Sequence, residues 1–212
     1  MRYDASPGPP EEGRTLDEVS ALAGRALDAA MGTRPGPVHL NLAFRKPLWD
    51  APLEPLPAPS TRGQRAPSTL GAEDLEALSL RVSTAKRGLI VCGPGDLGEA
   101  GRERGEQKAT LARAVGRLAD TLGWPVLLDA ASSLRGADVP HAVTLGDTMS
   151  RADGFGPAYR PDRVLRIGQV PTSTPLRRWL AKVGEGQTLL IDATGDRHDP
   201  DHLGAELFTG DP

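Results

Sequence analysis

The sequence predicts an α/β protein: a Rossmann-like doubly wound parallel sheet, preceded by a helix–strand remnant of another α/β domain. Three observations carry this. From residue 69 onward, short apolar runs alternate with helix-spaced segments, the pattern of repeated strand–helix–strand units. Ahead of them, six prolines between residues 47 and 67 favour an extended, semi-rigid linker. The first fifty residues offer one helix and one strand, too little to close a core, because a lone strand has no partner and a lone helix no floor. The expected division is a remnant over residues 1–48, a linker over 49–68 and the sheet domain over 69–212.

Residues 1–14 are polar and rich in glycine and proline, and read as loop. Thr15 and Glu18 form a capping box, and Leu16, Val19, Ala23, Ala26, Leu27 and Ala30 follow at helical spacing until Gly32 stops the run. In PVHLNL, Val38, Leu40 and Leu42 alternate with His39 and Asn41, as in a strand. Past the linker, a helix over about residues 70–82 carries Leu75, Leu78 and Val82. GLIVC (88–92) is a continuous apolar run, as in a strand buried on both faces.

Leu111, Val115, Leu118 and Leu122 mark a helix over 106–122 that Gly123 ends. WPVLLDA (124–130) is the next strand, then a Ser/Gly-rich loop. Residues 143–151 are assigned to a helix and 163–168 to a strand. PTSTPLRRWL enters a helix with Thr174 as N-cap and Pro175 at the first helical position, facing the core with Leu176, Trp179, Leu180 and Val183. QTLLIDA (187–193) and AELFTGD are the last strands. Right-handed crossovers would then cover both faces of the sheet with helices.

Composition narrows the functions. A net charge of −3 gives no electrostatic reason to expect nucleic acid or an anionic membrane. The single cysteine, Cys92, excludes an internal disulfide framework and reads as a small buried apolar residue. No apolar run reaches the ~20 residues of a membrane helix, and no signal peptide is visible, so the cytoplasm is the expected compartment. Gly-x-Ser-x-Gly and P-loop patterns are absent.

Four groups of residues invite a functional reading. Gly93, Gly95 and Gly98 fit GxGxxG directly after a strand, and Asp129 ends the next one, so a stand-alone nucleotide or dinucleotide-binding module is the alternative function. Against it, Asp129 lies 31 residues beyond Gly98, where the fingerprint places its acid about 20 residues on. Gly101 and Gly105 also weaken the following helix start, which favours a glycine turn set by backbone geometry. In GQVPTSTP, Thr172, Ser173 and Thr174 stand where an acidic ligand could be held at a helix N-terminus, or where Thr174 merely caps. Arg135 lies on the same sheet edge, placed for a carboxylate, a phosphate or a surface acid. His198 and His202 are spaced i, i+4 beside aspartates, but Pro200 interrupts a helix through them, and no metal ligand set is expected.

GPVHLNLAFRKPL (36–48), RGLIVCGPG, LGWPVLLDAASSLRG, PDRVLRIGQVPTSTPLRRWL and LLID with the DP of HDPDH occur in the order found in one family. The chain resembles 2-succinyl-5-enolpyruvyl-6-hydroxy-3-cyclohexene-1-carboxylate synthases of menaquinone biosynthesis, from the end of the pyrimidine-binding domain through the middle domain. GPVHLNL alone is shared with other thiamine-diphosphate enzymes; GWPVL…LRG and LRIGQVPTS…WL narrow the resemblance.

The resemblance implies a parent transferase of three α/β domains that uses thiamine diphosphate and Mg²⁺ to join decarboxylated 2-oxoglutarate to isochorismate. It implies a middle domain without cofactor, the remaining domains as partners, and a homo-oligomer in full-length form. The family's diphosphate motif runs from GDG to Asn; this chain has no GDG and one asparagine, Asn41, so no catalytic, cofactor or metal residue is carried over. Arg135 matches an arginine that recurs in the family's LRG turn, which implies contact with an acidic metabolite. Thr174 stands where relatives often carry lysine, which weakens a role for it in holding a substrate carboxylate.

Overall fold

The computed structural model describes residues 3–5, 16–31, 36–41, 69–96, 104–195, 197 and 199–211. The chain divides into two compact units, Met1–Ala66 and Pro67–Pro212.

In the first unit, β1 (Tyr3–Ala5), α1 (Leu16–Met31) and β2 (Val38–Leu40) follow one another, and the two strands pair in parallel, Tyr3 opposite Val38 and Ala5 opposite Leu40. The expectation of a loop over residues 1–14 and of a strand without a partner is therefore corrected. Three residues are too few to show an alternation, and the pairing is made across 35 positions of sequence. The buried face of α1 is Leu22 and Ala26, whereas Val19 and Leu27, expected to face the core, are 50% and 48% exposed. Thr15 and Gly32, the expected helix signals, lie outside the described residues.

The second unit contains α2 (Ala72–Ser83), β3 (Gly88–Cys92), α3 (Arg104–Leu122), β4 (Val126–Leu128), β5 (Ala142–Val143), α4 (Gly146–Ser150), α5 (Phe155–Ala158), β6 (Arg163–Ile167), α6 (Thr174–Leu180), β7 (Thr188–Asp192) and β8 (Glu206–Thr209). Its six strands are all parallel in the order β5-β4-β3-β6-β7-β8. The chain starts in the middle, builds outward, then returns to build the other half: the doubly wound order. β3 and β7 are buried at every residue, as parallel strands covered on both faces must be.

Alternate residues of each strand feed opposite faces. Ile90, Cys92, Leu165 and Ile167 pack with Leu78 and Val82 of α2 and Leu111 and Val115 of α3. Leu89, Val91 and Val164 pack with Leu176, Trp179 and Leu180 of α6. Gly123, with φ +66°, takes the left-handed conformation that ends α3.

Several local readings are corrected by this packing. Leu75 of α2 is 56% exposed, because the helix turns Leu78 and Val82, with Ala77 beside them, to the core. The helix expected over residues 143–151 is confined to α4, after the edge strand β5, and a second short helix, α5, follows it with Gly154 at φ +85° as its N-cap. Only pairing with β4, Leu127 opposite Val143, makes β5 a strand.

The N-cap of α6 is Ser173, not Thr174. Ser173 is extended (φ −75°, ψ 117°) and its Oγ accepts the Leu176 N–H at 3.2 Å, while Thr174 is already helical. We expect Ser173→Ala to cost about 1 kcal/mol in urea denaturation, the usual worth of such a cap; an unchanged midpoint would move the cap elsewhere. Among the described residues, no helix is long and apolar enough to cross a membrane.

Candidate functional site

In a doubly wound sheet the loops at the carboxyl ends of the two central strands diverge and leave a crevice where ligands bind. Here those strands are β3 and β6, and the crevice lies between the turn Gly93–Asp96 and the loop Gly168–Ser173. The two segments are bonded to each other. The Gly93 N–H donates to the Ile167 carbonyl at 3.0 Å, and the Gln169 N–H to the Pro94 carbonyl at 2.7 Å. A Cβ on Gly93 would stand 2.0 Å from the Gln169 carbonyl oxygen, and one on Gly168 would stand 2.7 Å from that of Pro94. In a dinucleotide fold the glycine backbone faces a pyrophosphate; here its neighbour at that distance is the next loop. Gly95 adopts φ +71°, as a tight turn demands. Gly98 lies outside the described residues.

Asp129, at the end of β4, fastens the same loop from the other side. Its buried carboxylate accepts the Thr172 N–H (3.0 Å), the Thr172 hydroxyl (2.9 and 3.2 Å) and the Ala131 N–H (2.9 Å). The Thr172 hydroxyl proton, expected to face an acidic ligand, is thus given to a carboxylate. Ser173 is engaged in the same way: its hydroxyl donates to Asp147 of α4, which also takes both the Nε and Nη2 protons of Arg151, at 3.0 and 3.1 Å. The guanidinium of Arg151, followed by the Ser173 hydroxyl, holds the Asp147 carboxyl below the ordinary range. Thr174 is exposed. Arg135 is exposed on the same edge and its Nη1 donates to the Leu128 carbonyl at 3.4 Å.

Sequence reasoning missed three participants. Asp96 is completely buried and accepts the Ser132 hydroxyl and, at 3.0 Å, the Ser133 N–H, binding the turn after β3 to the loop after β4. Its signal was an aspartate inside the glycine motif. Asp147 had no signal, since its partners are remote or in an unexpected helix. Arg166 is a buried arginine within β6, and burial lowers its pKa against the raising effect of Asp199, Asp201 and Asp192; a charge inside an apolar strand could have drawn attention to it.

Asp201 pairs with Arg177 of α6 through two bonds, of 3.1 and 2.6 Å, and Asp199 accepts the Leu203 and Ala205 N–H groups. These aspartates, which neighbour the histidine pair in sequence, are occupied by arginine and main chain. His198 lies outside the described residues. Among the described residues no group of three His, Cys, Asp or Glu is placed to hold a metal ion. Burial, and then the charge of Asp96, raises the Cys92 thiol far above its ordinary value, consistent with an inert core residue.

No family model matches the chain. Curated relatives do. It is 31% identical over 227 residues to the 2-succinyl-5-enolpyruvyl-6-hydroxy-3-cyclohexene-1-carboxylate synthase of Sorangium cellulosum, covering 100% of this chain and 36% of the relative. It is 35% identical to that of Geobacillus kaustophilus (94% and 34%) and 34% identical to that of Halobacterium salinarum (99% and 37%). The chain is similar to these synthases along nearly its whole length. It spans about a third of their length. Two solved structures share the fold: a thiamin diphosphate-dependent enzyme from Mycobacterium smegmatis (TM-score 0.58, 22% identity) and the benzoylformate decarboxylase of Polynucleobacter necessarius (TM-score 0.51, 15% identity). Each aligns with 98% of this chain over 36% and 35% of its own length, respectively.

Proposed function

We propose that the chain forms the middle of a 2-succinyl-5-enolpyruvyl-6-hydroxy-3-cyclohexene-1-carboxylate synthase. Residues 1–48 close the pyrimidine-binding domain, 49–68 link, and 69–212 form the middle Rossmann-like domain. The parent enzyme, a cytoplasmic homo-oligomer, would join decarboxylated 2-oxoglutarate to isochorismate with thiamine diphosphate and Mg²⁺ supplied by its other domains. In this reading the segment is inactive alone and its role is structural, with regulation as the alternative role.

The observation that carries the passive role is the closed switch point. Where a doubly wound domain would receive a ligand, main chain meets main chain at Gly93 and Gln169. The cofactor does not fit the residues described here. A magnesium diphosphate needs open carboxylate and amide oxygens, whereas Asp96, Asp129 and Asp147 are engaged by hydroxyl, amide and guanidinium protons, and Asp199 and Asp201 by amides and Arg177. Of the residues expected to meet an acidic ligand, Arg135 and Thr174 keep exposed polar groups. Arg135 contacts an acidic metabolite in this reading, and an Arg135→Ala chain with unchanged affinity for isochorismate-like acids would remove that role.

The test is decarboxylation. The purified chain, given thiamine diphosphate, Mg²⁺ and 2-oxoglutarate, should release no CO₂ above the protein-free rate. Measurable turnover that tracks the purified chain would overturn the passive assignment.

A further inference from the structure

The dipeptide Asp-Gly occurs once in the 212 residues, at Asp153–Gly154. It falls in the turn between α4 and α5, and both residues are exposed. Gly154 holds φ +85° and ψ −13° as the N-cap of α5. The groups nearest in sequence are used elsewhere. Arg151 gives its Nε and Nη2 protons to Asp147, at 3.0 and 3.1 Å. The Phe155 N–H donates to the Ala152 carbonyl and the Ala158 N–H to the Gly154 carbonyl, each at 3.2 Å. Among the described residues, neither the Asp153 carboxyl nor the Gly154 N–H has a partner.

Six other aspartates of this unit differ on both counts. Asp96, Asp129, Asp147, Asp162, Asp199 and Asp201 accept hydroxyl, amide or guanidinium protons. Each is also followed by a residue with a side chain. An accepted proton holds the carboxyl away from the next main-chain nitrogen, and a Cβ on the next residue crowds the approach. Glycine has no Cβ, and its backbone turns more readily than any other.

We propose that Asp153 is a site of spontaneous isomerisation to isoaspartate. The Gly154 nitrogen attacks the Asp153 Cγ. An N–Cγ bond forms, and the OH of the protonated carboxyl leaves as water with the proton of the Gly154 N–H, closing a five-membered imide. Water then adds to the ring. Opening at the N–Cγ bond restores aspartate. Opening at the bond from that nitrogen to the Asp153 main-chain carbonyl carbon leaves isoaspartate. One water is released and one consumed, nothing is oxidised or reduced, and no further reactant is needed. The product has a main chain longer by one methylene and a free α-carboxylate at residue 153. The insertion falls between α4, whose Asp147 takes the Ser173 hydroxyl proton, and α5, whose Phe155 ring packs on Trp179 with centroids 5.2 Å apart.

The test ages the full chain in warm, mildly acidic ¹⁸O water and follows heavy oxygen by mass spectrometry. Trypsin releases Ala152–Arg163 as one peptide, because Pro161 follows Arg160, and fragmentation separates Asp153 from Asp162 and isoaspartate from aspartate. Uptake at Asp153 should be about tenfold faster than at any other described aspartate, a barrier lower by about 1.4 kcal/mol, with isoaspartate among its products. Gly154→Ala should slow it by about tenfold; the added Cβ meets nothing within 4 Å, so its cost is confined to the positive φ. Asp153→Glu, one methylene too long for the five-membered ring, should take up no heavy oxygen at that position, and it keeps the test valid if Gly154→Ala does not fold. A synthetic peptide of residues 152–163 should age within about tenfold of the folded chain, since nothing in the turn holds the two reacting groups. Uptake at Asp153 no faster than at Asp162, uptake undiminished in Asp153→Glu, or a folded chain slower than the peptide by more than that factor would overturn the proposal.

Discussion

Asp129→Ala should lower the stability of the second unit by about 2–3 kcal/mol, the worth of hydrogen bonds to a buried charged acceptor plus the donors left behind. The carboxylate is 3% exposed and its partners are Thr172, through main chain and hydroxyl, and Ala131. Removing it strands the Thr172 and Ala131 N–H groups and frees the loop from β4. Urea denaturation followed by the fluorescence of Trp124 and Trp179, both buried in this unit, measures the loss. Asp129→Asn separates geometry from charge: it keeps one acceptor oxygen but turns an NH₂ toward the Thr172 hydroxyl, so its loss should be smaller. If Asp129→Ala were as stable as the parent while weakening nucleotide binding, the residue would be a ribose ligand and the fastening role would fall.

Gly93→Ala is the second large effect. The added methyl would stand 2.0 Å from the Gln169 carbonyl oxygen, a main-chain atom of a residue whose own N–H donates to the Pro94 carbonyl. The loop must move, and overpacking of this kind costs about 1–3 kcal/mol. A dinucleotide-binding turn would respond differently. There the methyl would collide with the ligand, leaving the unliganded protein stable and its affinity lost. Denaturation of the variant beside a titration of NAD distinguishes the two: lower stability with no NAD binding by either protein is the outcome expected here.

The strands were legible because each is a short apolar run with no competing period. GLIVC became β3 at the same boundaries, and the strands over 163–168 and 187–193 shifted by a residue or less at each end. The long helix was legible from the spacing of Leu111, Val115 and Leu118, although its start at Arg104 was not. Elements made by remote pairing were missed. Tyr3–Ala5 and Ala142–Val143 are strands because Val38–Leu40 and β4 lie beside them, and two or three residues carry no period of their own. The site was half legible. Arg135, Thr172 and Ser173 were placed on one sheet edge by chain order alone, but what their side chains bond to depends on which loops meet.

By itself the sequence determined the parallel layered fold, its helix-covered faces and its likeness to the synthases, since those rest on local periodicity and on residue order. The tertiary structure alone decided that the central crevice is shut. Gly93 has the same sequence signature whether a pyrophosphate or a neighbouring loop lies against it. A glycine motif reports that something approaches the backbone closely, and only the folded chain shows that the approaching atom is the carbonyl of Gln169.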